Sequence, residues 1–378
     1  MRIAVIGHGY VGSSLCSAAS AAGHEIIAID KDPDELSKVV KGYRLSHDYS
    51  LCLDRDVIII ALPTPVDSSL KPDLSQIEEV CLKIEPFTNS NALLISESTS
   101  YPGTLRNVIA PRLPLVRFLA TAPERIDPAS NSWNIKNTPR IVGALSQPAL
   151  MKATNFYRTI CDVVIPVASS EIAESAKLLE NTFRQVNIAL ANEFAKILHS
   201  SGISPLDVIA AAKTKPFGFM EFWPGVGVGG HCIPVDPMYL QYFAKQFNNT
   251  FNLVGLAHEI NNEMPVFIAD ELFKKHSLHG KRVQVSGIAY KSNVADIRES
   301  PALEMIKRLR IRGAKVIWHD NLVGSTHSEK SDPLQNVDLG IIAVNHLGVD
   351  YSPWKDVNVV DLTPTADLGF PKFFGSKT

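Results

Sequence analysis

The first thirty residues constrain the fold most. Arg2–Ile6 is a short apolar run, Gly7-His-Gly9-Tyr-Val-Gly12 follows it, and an Ala/Ser/Leu-rich segment then continues to Gly23. A second apolar run, Glu25–Ile29, ends at Asp30, about twenty residues after the glycines, where a carboxylate can reach an adenosine ribose. Strand, glycine turn, helix and strand in this order predict the start of an open parallel sheet. The first glycine permits the tight turn, the second lets a pyrophosphate approach the helix N-terminus, and the third brings helix and sheet together. Asp30 would repel a 2′-phosphate and so favours NAD over NADP, with Lys31 pulling the other way. A nucleotide-free doubly wound domain, in which the glycines only turn the chain, is the alternative at this point.

Residues 56–62 are apolar throughout, as in a strand buried on both faces, and end at Pro63-Thr64-Pro65, where the prolines stop strand and helix. The same layout recurs at 92–96, before Glu97-Ser-Thr99, and at 119–122, before Pro123-Glu124-Arg125; further strands are expected at 140–143 and 163–166. Ligands of open α/β sheets lie across the carboxyl ends of the strands. Thr99 and Glu124 are therefore candidates for touching cofactor or substrate, although turn and cap chemistry would also place such residues there.

From 169 to about 201 there is neither proline nor glycine, and Ala176, Leu179, Phe183, Val186, Leu190 and Phe194 return at helical spacing. A long helix follows, of a kind that otherwise looks buried and that often makes a dimer core. Lys177 and Asn181 share one of its faces, which on a solvated helix would carry no function. Further on, Gly225, Gly227, Gly229 and Gly230 precede Cys232, and Asp236 stands four residues beyond. Glycines let backbone approach a bulky ligand, and a thiolate can attack a carbonyl carbon. Equally, a lone cysteine is often a small buried hydrophobe.

A 378-residue chain with 45% hydrophobic residues suggests two or three domains, and a net charge of -2 gives no electrostatic footprint for nucleic acid or an anionic membrane. The five cysteines are scattered without a CxxC pair, which argues against a disulfide framework and a metal site and fits a reducing cytoplasm. No leader segment and no run of membrane-spanning length is expected. After a helical run at about 253–276, residues 281–287 open a second strand-turn unit. Ser300 is the expected N-cap of a helix with Pro301 in its first position, and more strands are expected at 315–318, 339–344 and 357–361. This second unit lacks the GxGxxG spacing, so it need not hold a dinucleotide.

Glu97-Ser-Thr99 with Tyr101-Pro-Gly-Thr104, Pro123-Glu-Arg125, Asn181-Thr-Phe-Arg184 through Asn192-Glu193, the cysteine loop, Gly287-Ile-Ala-Tyr-Lys291 and Arg298-Glu-Ser-Pro301 occur in one order along the chain. In them the chain resembles, over nearly its whole length, the nucleotide-sugar 6-dehydrogenases of the UDP-glucose/GDP-mannose dehydrogenase family. The resemblance implies an α/β fold of two Rossmann-like doubly wound domains joined by a long helix and a helical central domain. NAD-binding residues 1–168, a central and dimerising domain at 169–276 and a UDP-sugar-binding domain at 277–378 are its expected parts. It also implies NAD as cofactor, a UDP-sugar as substrate, a homodimer and no metal.

Chemically, the resemblance implies that the sugar C6 alcohol is oxidised twice at one site, with Cys232 carrying first a thiohemiacetal and then a thioester. Lys177 and Asn181 would stabilise the thiolate and the developing oxyanion, Asp236 with Thr99 would orient water, and Glu124 would stand close by. Gly7, Gly9, Tyr10, Val11, Gly12, Asp30, Thr64, Pro65, Thr99 and Arg298 would contact NAD. Glu124, Lys177, Asn181, Phe217, Gly227, Gly229, Gly230 and Lys291 would contact the sugar nucleotide. Thr214–Met220 and Pro123–Pro128 look most like the branch acting on UDP-N-acetylglucosamine or UDP-N-acetylgalactosamine; UDP-glucose and UDP-N-acetylmannosamine are the alternatives. Three departures stand out: Pro128 replaces a second carboxylate, residues 41–54 look short of a connection, and the last strand ends Asp361-Leu-Thr363 without the family's arginine. A dehydrogenase that oxidises its substrate once, or a nucleotide-sugar-binding protein without catalysis, would share many of these features.

Overall fold

The apolar runs assemble into two sheets, one mostly parallel and one wholly parallel. In a computed structural model, which describes residues 1–126, 132–326 and 328–375, the chain divides into two units. Unit 1 comprises Met1–Glu180 and Val235–Thr250; unit 2 comprises Asn181–Pro234 and the chain from Phe251 onward. Pro128, singled out from the sequence, lies outside the described residues.

Unit 1 is built from β1 (Arg2–Ile6), α1 (Tyr10–Ala21), β2 (Glu25–Ile29), α2 (Pro33–Leu36), β3 (Arg44–Ser46), β4 (Val57–Ile60), α3 (Ser75–Ile84), β5 (Leu93–Ser96), β6 (Phe118–Thr121), β7 (Arg140–Ala144), α4 (Gln147–Tyr157), β8 (Val164–Pro166) and the first part of α5 (Ser170–Ser201). Its eight strands run in the order β3-β2-β1-β4-β5-β6-β7-β8, parallel except where β7 meets β6. The first six follow the strand order of dinucleotide-binding folds. Alternation along the central strands builds two cores. Ala4, Ile6, Ile58, Ile60 and Leu94 pack with Ile77 and Ile84 of α3, while Ile3, Val5, Ile59 and Ile95 pack with Leu15 of α1 and Phe156 of α4. Each such valine, leucine, isoleucine or phenylalanine contributes roughly 1.5–3 kcal/mol by leaving water. Gly12 sets the closeness of α1 to the sheet, because a Cβ there would stand 1.8 Å from Gly7 O.

Unit 2 holds the rest of α5, α6 (Pro205–Ala212), α8 (Asn252–His276), β9 (Arg282–Ser286), α9 (Pro301–Ile311), β10 (Lys315–His319), β11 (Leu339–Ile342) and β12 (Val359–Asp361); α7 (Asp236–Lys245) belongs to unit 1. The strands run parallel in the order β10-β9-β11-β12. Locally this sheet repeats the first. Gly7 N donates to Ile29 O and Gly287 N to His319 O, both at 2.8 Å. Arg2 N donates to Asp56 Oδ2 at 2.7 Å, as Arg282 N does to Asp338 Oδ2 at 2.8 Å. The repeat breaks after the glycine: α1 starts three residues past Gly7, whereas a loop separates Gly287 from α9 at Pro301.

Several local expectations change. Ser300 does occupy the N-cap of α9, but its hydroxyl donates to Ile288 O at 2.7 Å instead of capping the helix, which fastens the loop after β9. Residues 41–54, read as short of a connection, include β3 and a single helical turn at Tyr49–Cys52. The expected stripe on α5 is largely exposed: Leu179, Phe183, Leu190 and Phe194, together with Ile172 and Ile197, are between 36% and 64% exposed, while Ala176 and Val186 are half-buried. In place of an arginine after the last strand, Lys372 reaches Asp361 Oδ2 at 2.5 Å and Thr363 O at 2.8 Å, so a tail lysine covers the end of β12. Among the described residues, no helix is long and apolar enough to cross a membrane.

Candidate active site

The glycine turn ends in α1, whose N-cap is Gly9 and whose first turn takes no side-chain cap. Gly7 has φ +95°, open to glycine and costly for other residues, and a Cβ on Gly9 would meet nothing within 4 Å. Tyr10 is half exposed beside this open face. The carboxylate of Asp30 accepts from His8 N at 2.6 Å and from Asp32 N at 2.9 Å, which fixes it at the end of β2 against the turn. His8 is buried and braced by Glu35 and Tyr43 through its two ring nitrogens.

At the carboxyl edge of the same sheet the three loops expected from the sequence are bonded together. Leu62 N donates to Ser98 Oγ at 2.9 Å, and Thr64 Oγ1 donates to Thr99 O at 2.7 Å. The Thr64-Pro65 turn is seated on α7, since Tyr239 Oη donates to Thr64 O at 2.8 Å. Asp236 is the first residue of α7 and is buried, a position where the helix dipole favours a carboxylate. Glu174 of α5 accepts from Gly103 N at 2.6 Å and Leu105 N at 2.9 Å and so anchors the loop that carries Thr99; burial pushes its carboxyl up to about 8. Glu124 is 8% exposed, with Oε1 accepting from Arg125 N and Ile126 N at 2.5 and 2.6 Å and Oε2 from Arg140 at 2.7 Å. Glu174 and Arg140 were missed from the sequence. Arg140 read only as the start of a strand, and a glutamate inside a long helix carries no local signal.

In unit 2 the cysteine loop is held from behind. Asn192 Oδ1 accepts from Gly225 N at 3.0 Å, and Asn192 Nδ2 donates to Asn261 Oδ1 of α8 at 2.9 Å. Gly230 N donates to Arg298 O at 3.0 Å. Cys232 is exposed, whereas Cys16, Cys52, Cys81 and Cys161 are buried. Burial pushes the thiols of Cys16, Cys52 and Cys81 up to about 12, so they stay protonated and inert. Arg298 pairs with Asp296, its Nη2 lying 2.6 Å from Oδ2, and Asp296 foremost, with a smaller contribution from Cys232, raises its guanidinium above the usual range.

Three glycines of the cysteine loop stand in close contact with the rest of unit 2. A Cβ on Gly229 would lie 2.6 Å from Glu299 O, one on Gly230 2.7 Å from the Tyr290 ring, and one on Gly227 2.9 Å from Asn261 O. Their small size lets the protein's own residues pack, while Gly225 has open space at its Cβ position. Lys291 is half-buried in the loop after β9, and Phe217 is 71% exposed. Lys177 is half-buried and Asn181 buried, one turn apart on α5. The chain passes from unit 1 to unit 2 between these two residues and returns between Pro234 and Val235, inside the cysteine loop.

Three family models match in succession: the NAD-binding domain of the UDP-glucose/GDP-mannose dehydrogenase family over residues 1–44 and 39–161, the central domain over 171–263 and the UDP-binding domain over 284–366. The chain belongs to the UDP-glucose/GDP-mannose dehydrogenase family. It is an NAD-dependent nucleotide-sugar 6-dehydrogenase. Its relatives include the UDP-N-acetyl-D-mannosamine dehydrogenase of Pyrococcus horikoshii, 33% identical over an alignment of 390 positions, gaps included, that covers 94% of this chain and 92% of that protein. They also include the UDP-N-acetyl-D-glucosamine 6-dehydrogenase of Pseudomonas aeruginosa, 29% identical with 82% and 80% covered. Among solved structures, the Pyrococcus horikoshii UDP-D-ManNAc dehydrogenase superposes with a TM-score of 0.87 at 29% identity, covering 99% of each chain.

The NAD-binding and UDP-binding domains of this dehydrogenase differ at the end of their first strands. Unit 1 fits NAD: Gly9 leaves room for a pyrophosphate at an uncapped helix start, and Asp30 sits fixed at the end of β2. The matching acid of unit 2, Asp320, is turned to the protein instead. It accepts from Ile288 N, Ala289 N, Leu322 N and Val323 N at 2.9–3.1 Å and pairs with His346. These partners overcome its burial and hold its carboxyl far below the usual range. The second sheet therefore lacks both the helix start at its glycine and the available acid that a dinucleotide requires.

Proposed function

We propose that the chain oxidises the C6 alcohol of a UDP-N-acetylhexosamine to the uronate in two steps, with Cys232 as the nucleophile. Support comes foremost from Cys232 itself, the one exposed thiol among the described cysteines, on a loop tied to Asn192 and to Arg298. NAD, when bound, supplies the acceptor for each hydride. After the first oxidation the Cys232 thiolate adds to the C6 aldehyde, forming a C–S bond. Loss of a second hydride leaves a thioester, and water then breaks that bond to release the acid. Lys177 and Asn181 are assigned the oxyanion, Asp236 and Thr99 the water, and Glu124 a polar contact at the sugar. Phe217, Lys291 and the loop of Gly227, Gly229 and Gly230 are assigned to the sugar nucleotide, and Thr64, Pro65 and Arg298 to the cofactor.

UDP-N-acetylmannosamine is the first substrate to test, because the relative that is 33% identical over 94% of the chain is named for it. UDP-N-acetylglucosamine is second, on the 29% identical relative. An assay of NAD reduction with these two, UDP-N-acetylgalactosamine and UDP-glucose separates them: turnover of UDP-glucose alone would contradict the acetamido preference. A homodimer through residues 169–276 is part of the same proposal. The six exposed apolar residues of α5 fall within about 60° of arc at 100° per residue, a stripe that a second copy would cover.

A further inference from the structure

Behind Glu124 lies a buried cluster that no motif assigns. Arg140, the first residue of β7, donates from Nη2 to Glu124 Oε2 at 2.7 Å and from Nη1 to Ala122 O at 3.2 Å and Glu97 Oε2 at 3.4 Å. Its guanidinium carbon stands 5.2 Å from the centroid of the Tyr157 ring, and the Tyr157 hydroxyl donates to Glu97 Oε1 at 2.5 Å. Glu97 and Arg140 are 1% and 3% exposed, so two carboxylates share one cation out of water. A single guanidinium in such a place does not hold both ionised. The donors decide between them. Glu124 receives Arg140 and two main-chain N–H groups, all at 2.7 Å or less, whereas Glu97 receives the longer arm of Arg140 and a hydroxyl. Burial foremost pushes Glu97 up to about 7; at Glu124 burial is outweighed by Arg140 and the two N–H groups, which hold it below the usual range. The thiols of Cys16 on α1 and Cys161 after α4 also face Glu97, and both are raised foremost by burial.

We propose that Glu97, Arg140 and Tyr157 are positioning residues for the oxidation: Glu97 and Tyr157 hold the Arg140 guanidinium against Glu124, and Arg140 fixes the Glu124 carboxylate, ionised, at the sheet edge beside the Thr99 loop. This rests on the reading of Glu124 as part of the site. When Glu97 gives up its proton it competes for Arg140 and loosens that hold. The reaction thus feels a proton on a residue that touches neither substrate nor cofactor.

Steady-state NAD reduction by the full chain, measured from pH 5.5 to 9 with UDP-N-acetylmannosamine or whichever of the four UDP-sugars turns over, tests this. In Glu97→Gln, an isosteric change, the ratio of wild-type to variant kcat should bend near pH 7. Arg140→Lys should lower kcat by about tenfold or more and change KM for NAD by less than about twofold, assayed well below its Tm. Tyr157→Phe should lie between. A pH-independent ratio, or Arg140→Lys with wild-type kcat, would overturn the proposal while leaving the oxidation reading in place. Failure of the wild type to reduce NAD with any of the four sugars would overturn both.

Discussion

At the scale of single residues, the glycines of this chain divide by what stands where a Cβ would be. Gly12→Ala puts a methyl 1.8 Å from Gly7 O, main chain that cannot swing aside. Thermal unfolding should show a loss of about 1–3 kcal/mol or more, together with weaker NAD binding by calorimetry. Gly225→Ala, with open space at that position, should fold like the wild type, whereas Gly229→Ala meets Glu299 O at 2.6 Å and should be destabilised. Equal Tm values for these two variants would contradict the packing account of the cysteine loop. Sequence reading identified the glycines, but what they make room for depends on residues far along the chain: Tyr290, Glu299 and Asn261 for the cysteine loop.

Residue-scale electrostatics also gives the stability a pH slope. Glu174, raised to about 8 by burial, keeps its proton in the folded state at pH values where the unfolded chain has lost it. Stability therefore falls as pH rises from the unfolded value near 4.5 through about 8. Tm should decline across that window, and less steeply in Glu174→Gln. In Asp320 the sign reverses: its depressed carboxyl contributes stability above the unfolded value that is lost on acidification. A Tm unchanged from pH 5 to 8.5 in the wild type would count against the buried carboxyls.

Among elements, those announced by periodicity or by an uninterrupted apolar run were legible. β1, β2, β4 to β12 and the length of α5 stand within a few residues of where the sequence puts them. α3, α4, α6 and α7 were not anticipated. α4 opens with a serine N-cap and a proline in its first turn, the same kind of start that places α9, whereas α7 starts Asp236-Pro237 without a side-chain cap, directly after the cysteine loop. The exposure of the α5 stripe was illegible for another reason: helical spacing reports that apolar residues share a face, not what covers it. If a second copy covers it, Phe183→Glu with Leu190→Glu should convert a dimer into a monomer by light scattering. A double variant that remains dimeric would place the interface elsewhere.

Across the whole molecule, one local plan is used twice and kept for a dinucleotide once. Both sheets set an acid after the second strand of the pair, Asp30 after β2 and Asp320 after β10, and both acids receive the N–H that follows the glycine. In unit 1 a helix begins at once; in unit 2 a loop intervenes and consumes the carboxylate. Missing GxGxxG spacing made that difference visible in the sequence, while its mechanism, the four amides and His346 around Asp320, is visible only in the fold.

The central claim is that Cys232 carries the substrate through two oxidations. Complete conversion of a limiting amount of the UDP-sugar with excess NAD, counting NADH against uronate, tests it most directly. The account predicts two NADH per sugar and, in Cys232→Ala, loss of uronate formation with the variant's Tm unchanged. One NADH per sugar with release of the aldehyde, or full uronate formation by Cys232→Ala, would contradict it.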